Sequence, residues 1–295
     1  MGVYHAGSRA VQDRLGVRDQ ADHVGRSMGD TLKPVAAAFL ELQPMLVLGA
    51  ADRDGGGVWA SVLTGEPGFV HALDPRRIAV DVGVAVTDPL APALAVEGAR
   101  VGTIALDPRT RRRMRLVGRS WPTPRGLAIE AERVFSNCPR HLQKRESYEW
   151  VADRIPEEPR RGTELTCSQQ EFIAAADTFL LATVHADGVD VSHRGGNPGF
   201  VRVESPRELA WRDYPGNSMF LTLGNLLGDP RAGVLFLDWT TGTTLHLTGE
   251  ARTEFAADGE RTVRFTVTEA VRTPAAVPLR WSPPEYSPAN PDPTR

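Results

Sequence analysis

Cysteine is scarce. Cys138 and Cys167 are the only two, too few for a disulfide framework, and a reducing cytoplasmic setting is expected. Long apolar runs are missing. No stretch approaches the ~18 residues of a spanning helix. The polar, mixed-charge segment Met1 to Asp30 has no apolar centre of the kind a secretory signal carries, so neither a membrane nor export is expected. No charge of one sign dominates: the formal net charge is −3, which gives no electrostatic reason to expect nucleic acid or anionic lipid. Common signatures are absent as well. There is no G-x-G-x-x-G, no P-loop lysine and no nucleophile elbow. The seven histidines have no zinc-type spacing with the cysteines, so no metal is expected.

What the chain does have is a repeat. Pro67-Gly68-Phe69-Val70 returns 131 positions later as Pro198-Gly199-Phe200-Val201. At the same offset Ser61 meets Ser192, Gly65 meets Gly196, Gly102 meets Gly233 and Gly118 meets Gly249. A constant offset over this length argues for two copies of one β-rich domain. Tandem copies are expected to pack as a pseudo-dimer, with the cleft between them as the ligand site. Short apolar runs bounded by Gly, Pro and Asp give strands at 45–50, 58–63, 78–82, 100–106, 113–119 and 127–134. In the second copy they fall at 179–184, 189–194, 199–203, 209–212, 232–238, 244–250 and 261–268. Residues 1–30 read as a weak helical arm. Thr31 to Gln43 reads as a helix with Val35, Phe39 and Leu42 on one face, and a short helix is expected within 83–99. Around the hinge a polar helical piece carries Leu142, Tyr148 and Trp150. Ser168-x-x-Glu171 reads as a capping box before a helix at 172–177. The division follows: 1–150 is an arm, a helix and a first domain; 151–165 is a linker; 166–272 is the second domain; 273–295 is a proline-rich tail. That tail forms no sheet or helix of its own but can anchor through Trp281 and Tyr286.

The two copies differ where chemistry is expected. Arg194 corresponds to Leu63, Asn217 to Val86, Thr222 to Ala91 and Asn225 to Leu94. A shared structural role would keep one residue type, whereas a ligand held by the second copy predicts this asymmetry. Arg194 beside Ser192, with Gly195 and Gly196 following, resembles an anion cradle: a guanidinium forks onto oxyanions, and glycine admits close backbone approach. An exposed hairpin arginine is the plainer alternative. Arg109 to Arg115 is either a solvated hairpin tip or a source of cations from the other copy; in a strand Arg111, Arg113 and Arg115 share a face. Cys138 reads as a small buried hydrophobe.

The stretch Asp190 to Val203 (DVSHRGGNPGFVRV), followed by Asp213 to Asn217, Thr222 to Leu226, Pro230 to Phe236 and Leu245 to Gly249, resembles the pyridoxamine 5'-phosphate oxidase-like family of flavin-binding split barrels. The first half resembles the extra barrel of a two-barrel branch. The resemblance implies a mainly β fold of two tandem split β-barrels forming a pseudo-dimer. It further implies FMN held by the second barrel at their interface, with oxidoreductase activity on a small-molecule substrate. The family's phosphate-binding arginine falls on Arg194, with Ser192, His193 and Gly195 around it; Asn217, Thr222, Gly224 and Asn225 form a second polar cluster. Gly224 departs from the arginine or lysine common there. His246 falls where the family places a residue near the flavin ring. Both His193 and His246 read as structural or ring-flanking rather than catalytic. Non-catalytic binding of flavin, haem or deazaflavin, a sensor role and a degenerate interaction module are the alternatives. A homodimer is compatible with all of these.

Overall fold

Met45 to Ala51 shows no polar–apolar alternation because both of its faces are covered. In the computed structural model, which describes residues 3–52, 56–136, 139–186 and 188–291, Leu46, Leu48 and Ala50 point into one apolar core while Met45 and Val47 point into another. The period of two persists, but both sets of side chains are buried, as in strands of two-sided sheets.

The first sheet comprises β1 (Met45–Ala51), β2 (Val58–Thr64), β3 (Val70–Asp74), β4 (Arg77–Val80), β5 (Ala99–Asp107), β6 (Arg112–Thr123) and β7 (Gly126–Ser136), ordered β2-β1-β5-β6-β7-β4-β3. Two short strands follow, β8 (Tyr148–Trp150) and β9 (Arg160–Gly162). The second sheet comprises β10 (Thr178–His185), β11 (Gly188–Gly195), β12 (Val201–Ser205), β13 (Glu208–Arg212), β14 (Arg231–Leu237), β15 (Thr244–Phe255) and β16 (Arg261–Thr273), ordered β11-β10-β14-β15-β16-β13-β12, with β9 added on β16. The order is the same in both copies, and so are the irregularities. Each long hairpin bulges at one place, Val117/Gly118 in the first and Thr248/Gly249 in the second. A Cβ on Gly118 would lie 1.9 Å from Glu130 O, and one on Gly249 2.0 Å from Thr266 O. Only glycine fits either bulge.

The two barrels meet around a pseudo-twofold axis. A Cβ on Gly102 would strike Val189 O and Asp190 Cα, and one on Gly233 would strike Val58 O and Trp59 Cα. These are the same contact written twice, as an isologous interface requires. The chain is therefore a tandem pair of split β-barrels in a pseudo-dimer. The core between them takes alternate residues of β1, β5 and β10, among them Val47, Ile104, Leu180 and Ala182.

Among the described residues six helices decorate the barrels: α1 (Ala6–Arg14), α2 (Arg18–Gly25), α3 (Pro34–Glu41), α4 (Ala91–Leu94), α5 (Cys167–Ala175) and α6 (Leu221–Gly228). Several expectations need correcting. On α3 the buried residue is Leu40; Val35 and Leu42 are exposed. The cap of α5 is Thr166, whose side chain accepts from Gln169 N while the Gln169 side chain accepts from Thr166 N, two residues ahead of the expected box. Residues 148–150 are a strand rather than helix and pair with β17 (Leu279–Trp281) of the tail, so the tail does contribute to a sheet, though only with a partner from the hinge. Trp281 is buried, whereas Tyr286 is exposed. Cys138, read from the sequence as a small buried hydrophobe, lies outside the described residues. No helix among the described residues is long and apolar enough to cross a membrane.

Candidate functional site

Strand β11 delivers the central triplet. Alternation puts Ser192 and Arg194 on one face and His193 on the other. Ser192 lies opposite Leu181, whose side chain is in the second barrel's core. His193 lies opposite Leu180, whose side chain is in the core between barrels, so its ring turns toward the first barrel. There it meets Arg113 of β6, whose Nη1 is 2.7 Å from His193 Nδ1. A guanidinium can only donate. Nδ1 must therefore accept, and in the neutral ring the proton sits on Nε2. That atom is buried and has no hydrogen-bond partner among the described residues. Burial holds His193 well below the usual histidine range, reinforced by the Arg113, His141 and Arg194 charges. The ring is a neutral donor at physiological pH.

A cavity of about 110 Å³ opens beside this triplet. Its walls are β11, the loop 213–220, the start of α6, the hinge residues Arg140 and His141, and Arg113 and Arg115 from the first barrel. Arg115 is buried and pairs with buried Asp190 across the barrel interface. Burial lowers its affinity for a proton, and the neighbouring Arg113 and Arg194 guanidinium groups add to that. Arg194 pairs with Asp213, which also receives Arg261 Nε at 2.9 Å and is thus neutralised from two sides. Arg194 Nε is buried without a partner among the described residues. Thr222 Oγ1 donates to Ser192 Oγ (3.2 Å), which donates to Leu181 O (3.4 Å). The first turn of α6 borders the cavity at Leu221, Thr222 and Leu223. Its N–H groups have no partner inside the helix, and no side chain caps it. The loop enters the helix through left-handed Ser218 and Phe220. Five arginines (Arg113, Arg115, Arg140, Arg194 and Arg212), the His193 imidazole and a helix N-terminus thus line one small volume, an arrangement that favours an anion.

Of the nine residues singled out in the sequence, Ser192, His193, Arg194, Gly195, Asn217 and Thr222 line the cavity. The remaining three do not. Asn225 is buried and donates to Thr183 Oγ1 at 2.9 Å, which ties α6 to β10. Gly224 faces the N-terminal arm: a Cβ there would lie 2.4 Å from Ser8 N, and one on Gly7 would lie 2.2 Å from Gly224 O. Helix α1 fills the space that an arginine or lysine would need. His246 is buried with Nδ1 2.9 Å from Ala60 O and Nε2 3.1 Å from Thr244 Oγ1. It reaches over the first barrel rather than the second. The glycines also work differently from a ligand cradle. A Cβ on Gly195 would strike His141 O at 2.1 Å, so the close approach there is by the chain's own hinge. Gly196 N is already donating to Asp177 O.

His246 and Arg115 are 131 positions apart, the repeat offset. Each projects from its long hairpin onto the opposite barrel: Arg115 onto Asp190 of β11, His246 onto Ala60 of β2. The pseudo-symmetric counterpart of the cavity is built of Leu63 and His246 in place of Arg194 and Arg115. Of the two readings the sequence leaves open for Arg109 to Arg115, Arg113 and Arg115 follow the second, cations supplied from the other copy; carrying the offset backward from His246 also lands on Arg115. Arg111, expected on their face, lies in the turn instead (φ 53°) and pairs with Glu285.

Residues 165–290 match the family model described as pyridoxamine 5'-phosphate oxidase. No curated protein matches the chain. Among solved structures, HupZ from Group A Streptococcus is 15% identical over 35% of this chain and 89% of its own, with a TM-score of 0.28. A Clostridium acetobutylicum protein related to general stress protein 26, of the pyridoxinephosphate oxidase family, is 11% identical over 34% of this chain and 81% of its own (TM-score 0.26). An FAD binding protein from Mycobacterium smegmatis is 14% identical over 39% and 97% (TM-score 0.27). The second barrel, with most of its tail, is thus similar to the pyridoxamine 5'-phosphate oxidase family, as its motifs implied.

Proposed function

We propose that the chain is an FMN-binding flavoprotein with the nucleotide's phosphate end in the cavity between the barrels. The observation that carries this reading is the donor set: the buried, unpartnered Nε2 of His193 and Nε of Arg194, facing the same volume as Arg113, Arg115 and the first turn of α6. About 110 Å³ is less than the ~300–1,000 Å³ of a pocket for a whole ligand, so it suits the phosphate rather than the entire nucleotide. The residues fit that group. Arg194, with Ser192 and Thr222, would hold the phosphate. Arg113 would supply charge from the first barrel and fix the His193 tautomer, and Asn217 would bond along the rest of the chain. Bound FMN supplies hydride or electron transfer, and the protein supplies binding, orientation and exclusion of water. On this reading the chain is an oxidoreductase acting on a small molecule.

One observation favours a second reading, flavin binding without turnover. The titratable groups of the cavity are already engaged: burial disfavours the charged forms of His193 and His141, and Asp213 is held between two arginines. The purified protein decides between them. A yellow protein with oxidised-flavin absorption supports both, and bleaching by reduced nicotinamide supports the oxidoreductase. One FMN per chain is expected, since Leu63 and His246 leave the counterpart site without its guanidinium groups. A colourless protein that takes up no added FMN removes both readings.

A further inference from the structure

A second hollow, of about 770 Å³, lies at the end of the first barrel between α3, the loop before it and the β6–β7 hairpin. Its size falls within the ~300–1,000 Å³ of small-molecule sites. Met28, Ala36, Phe39, Met114 and Val134 give it an apolar floor. Val35 at its lip is 73% exposed, a cost in apolar hydration that a bound apolar group would relieve. Cations surround this floor: Arg26, Lys33, Arg111, Arg112 and Arg113 all line the hollow, and no carboxylate does among its described lining residues. Arg111 is answered by Glu285. Lys33 and Arg112 are exposed and form no ion pair among the described residues. Strand alternation puts Arg112 and Met114 on the opposite face of β6 from Arg113 and Arg115. Arg113 borders both the hollow and the interface cavity, whereas Arg115 lines only the cavity and Arg112 and Met114 line only the hollow.

We propose that this hollow is a second ligand site, distinct from the flavin site, that takes a small amphipathic organic anion: an aromatic or aliphatic body against Phe39, Met28 and Met114, and a carboxylate, sulfonate or phosphate toward Lys33 and Arg112. An apolar floor alone would take neutral and charged ligands alike. The unanswered cations make the site select for negative charge.

The full chain, saturated with FMN, is titrated with 8-anilinonaphthalene-1-sulfonate and with the neutral N-phenyl-1-naphthylamine, following fluorescence. The expected result is one sulfonate per chain, bound at least tenfold tighter than the neutral probe. Ala36→Trp, which fills the hollow from the half-buried face of α3, is expected to abolish binding of both. The double variant Lys33→Glu/Arg112→Glu, confined to exposed side chains, is expected to weaken the sulfonate at least tenfold and the neutral probe less than threefold. Sulfonate binding unchanged in the double variant overturns the proposal. So does competitive displacement of the probe by FMN, which would make the hollow part of the flavin site.

Discussion

Arg194→Ala separates a phosphate ligand from a merely structural arginine. In the folded chain Arg194 pairs with Asp213, and Asp213 keeps Arg261 as a second partner at 2.9 Å, with Arg261 Nη2 also donating to Asp213 O at 3.0 Å. Truncation therefore leaves no unpaired buried carboxylate, and the several-kcal/mol penalty of an orphaned ion does not arise. The variant folds, with a stability loss of about 1.5–3 kcal/mol from one of two charge-assisted hydrogen bonds to the carboxylate. A charge-assisted bond to phosphate contributes about 1.5–3 kcal/mol, so the FMN dissociation constant rises roughly 10- to 150-fold. Riboflavin has the ring and ribityl chain but no phosphate, and its affinity changes by less than about twofold. The assay is quenching of flavin fluorescence on titration with apoprotein, run for FMN and riboflavin against both proteins. Equal losses for the two flavins, or none for either, would refute the placement of phosphate at Arg194.

Other consequences are more structural. Arg115→Met strands Asp190 in the barrel interface and is expected to destabilise the protein by about 3–5 kcal/mol; adding Asp190→Leu should recover most of the loss in denaturant titrations, and equal instability of single and double variants would show that the pair is not coupled. Gly224→Arg must displace the α1 backbone, at an expected cost of about 1–3 kcal/mol. Trypsin should then cut within residues 6–28 at a rate the parent does not show. Acidification should also destabilise the protein. His193 is depressed in the folded state, so below about pH 6.5 the unfolded chain binds the proton and the folded chain does not. Stability is full above that value and falls with decreasing pH by up to ~1.4 kcal/mol per unit for one such histidine. His193→Gln should flatten the slope between pH 7.5 and 5.5, leaving a residual from His141, which burial also depresses.

Much of the fold was legible in the chain because two copies of one barrel bury equivalent positions. Pro67 to Val70 and Pro198 to Val201 lead into β3 and β12, and Gly118 and Gly249 mark the same bulge. Even so, β3 itself went unrecognised as a strand: Val70–Asp74 is only partly buried and lacks a clear apolar pattern. Helix α6 was hidden for the opposite reason, since its first six residues are all buried and show no amphipathic period. The central triplet Ser192-His193-Arg194 could be found from local chemistry and from its contrast with Leu63. Its surroundings could not. Arg113 meets His193 across 80 positions of sequence, and Gly224 is explained only by an arm more than 200 residues earlier.

The sequence by itself determined that there are two β domains, where most of their strands fall, and which copy carries polar chemistry. Those properties are written in local patterns and in a constant offset. The tertiary structure decided which residues share a site. A pseudo-twofold interface sends each long hairpin over the other barrel, so Arg115 serves the second barrel and His246 the first. That exchange depends on how two apolar faces pack, and no spacing along the chain records it.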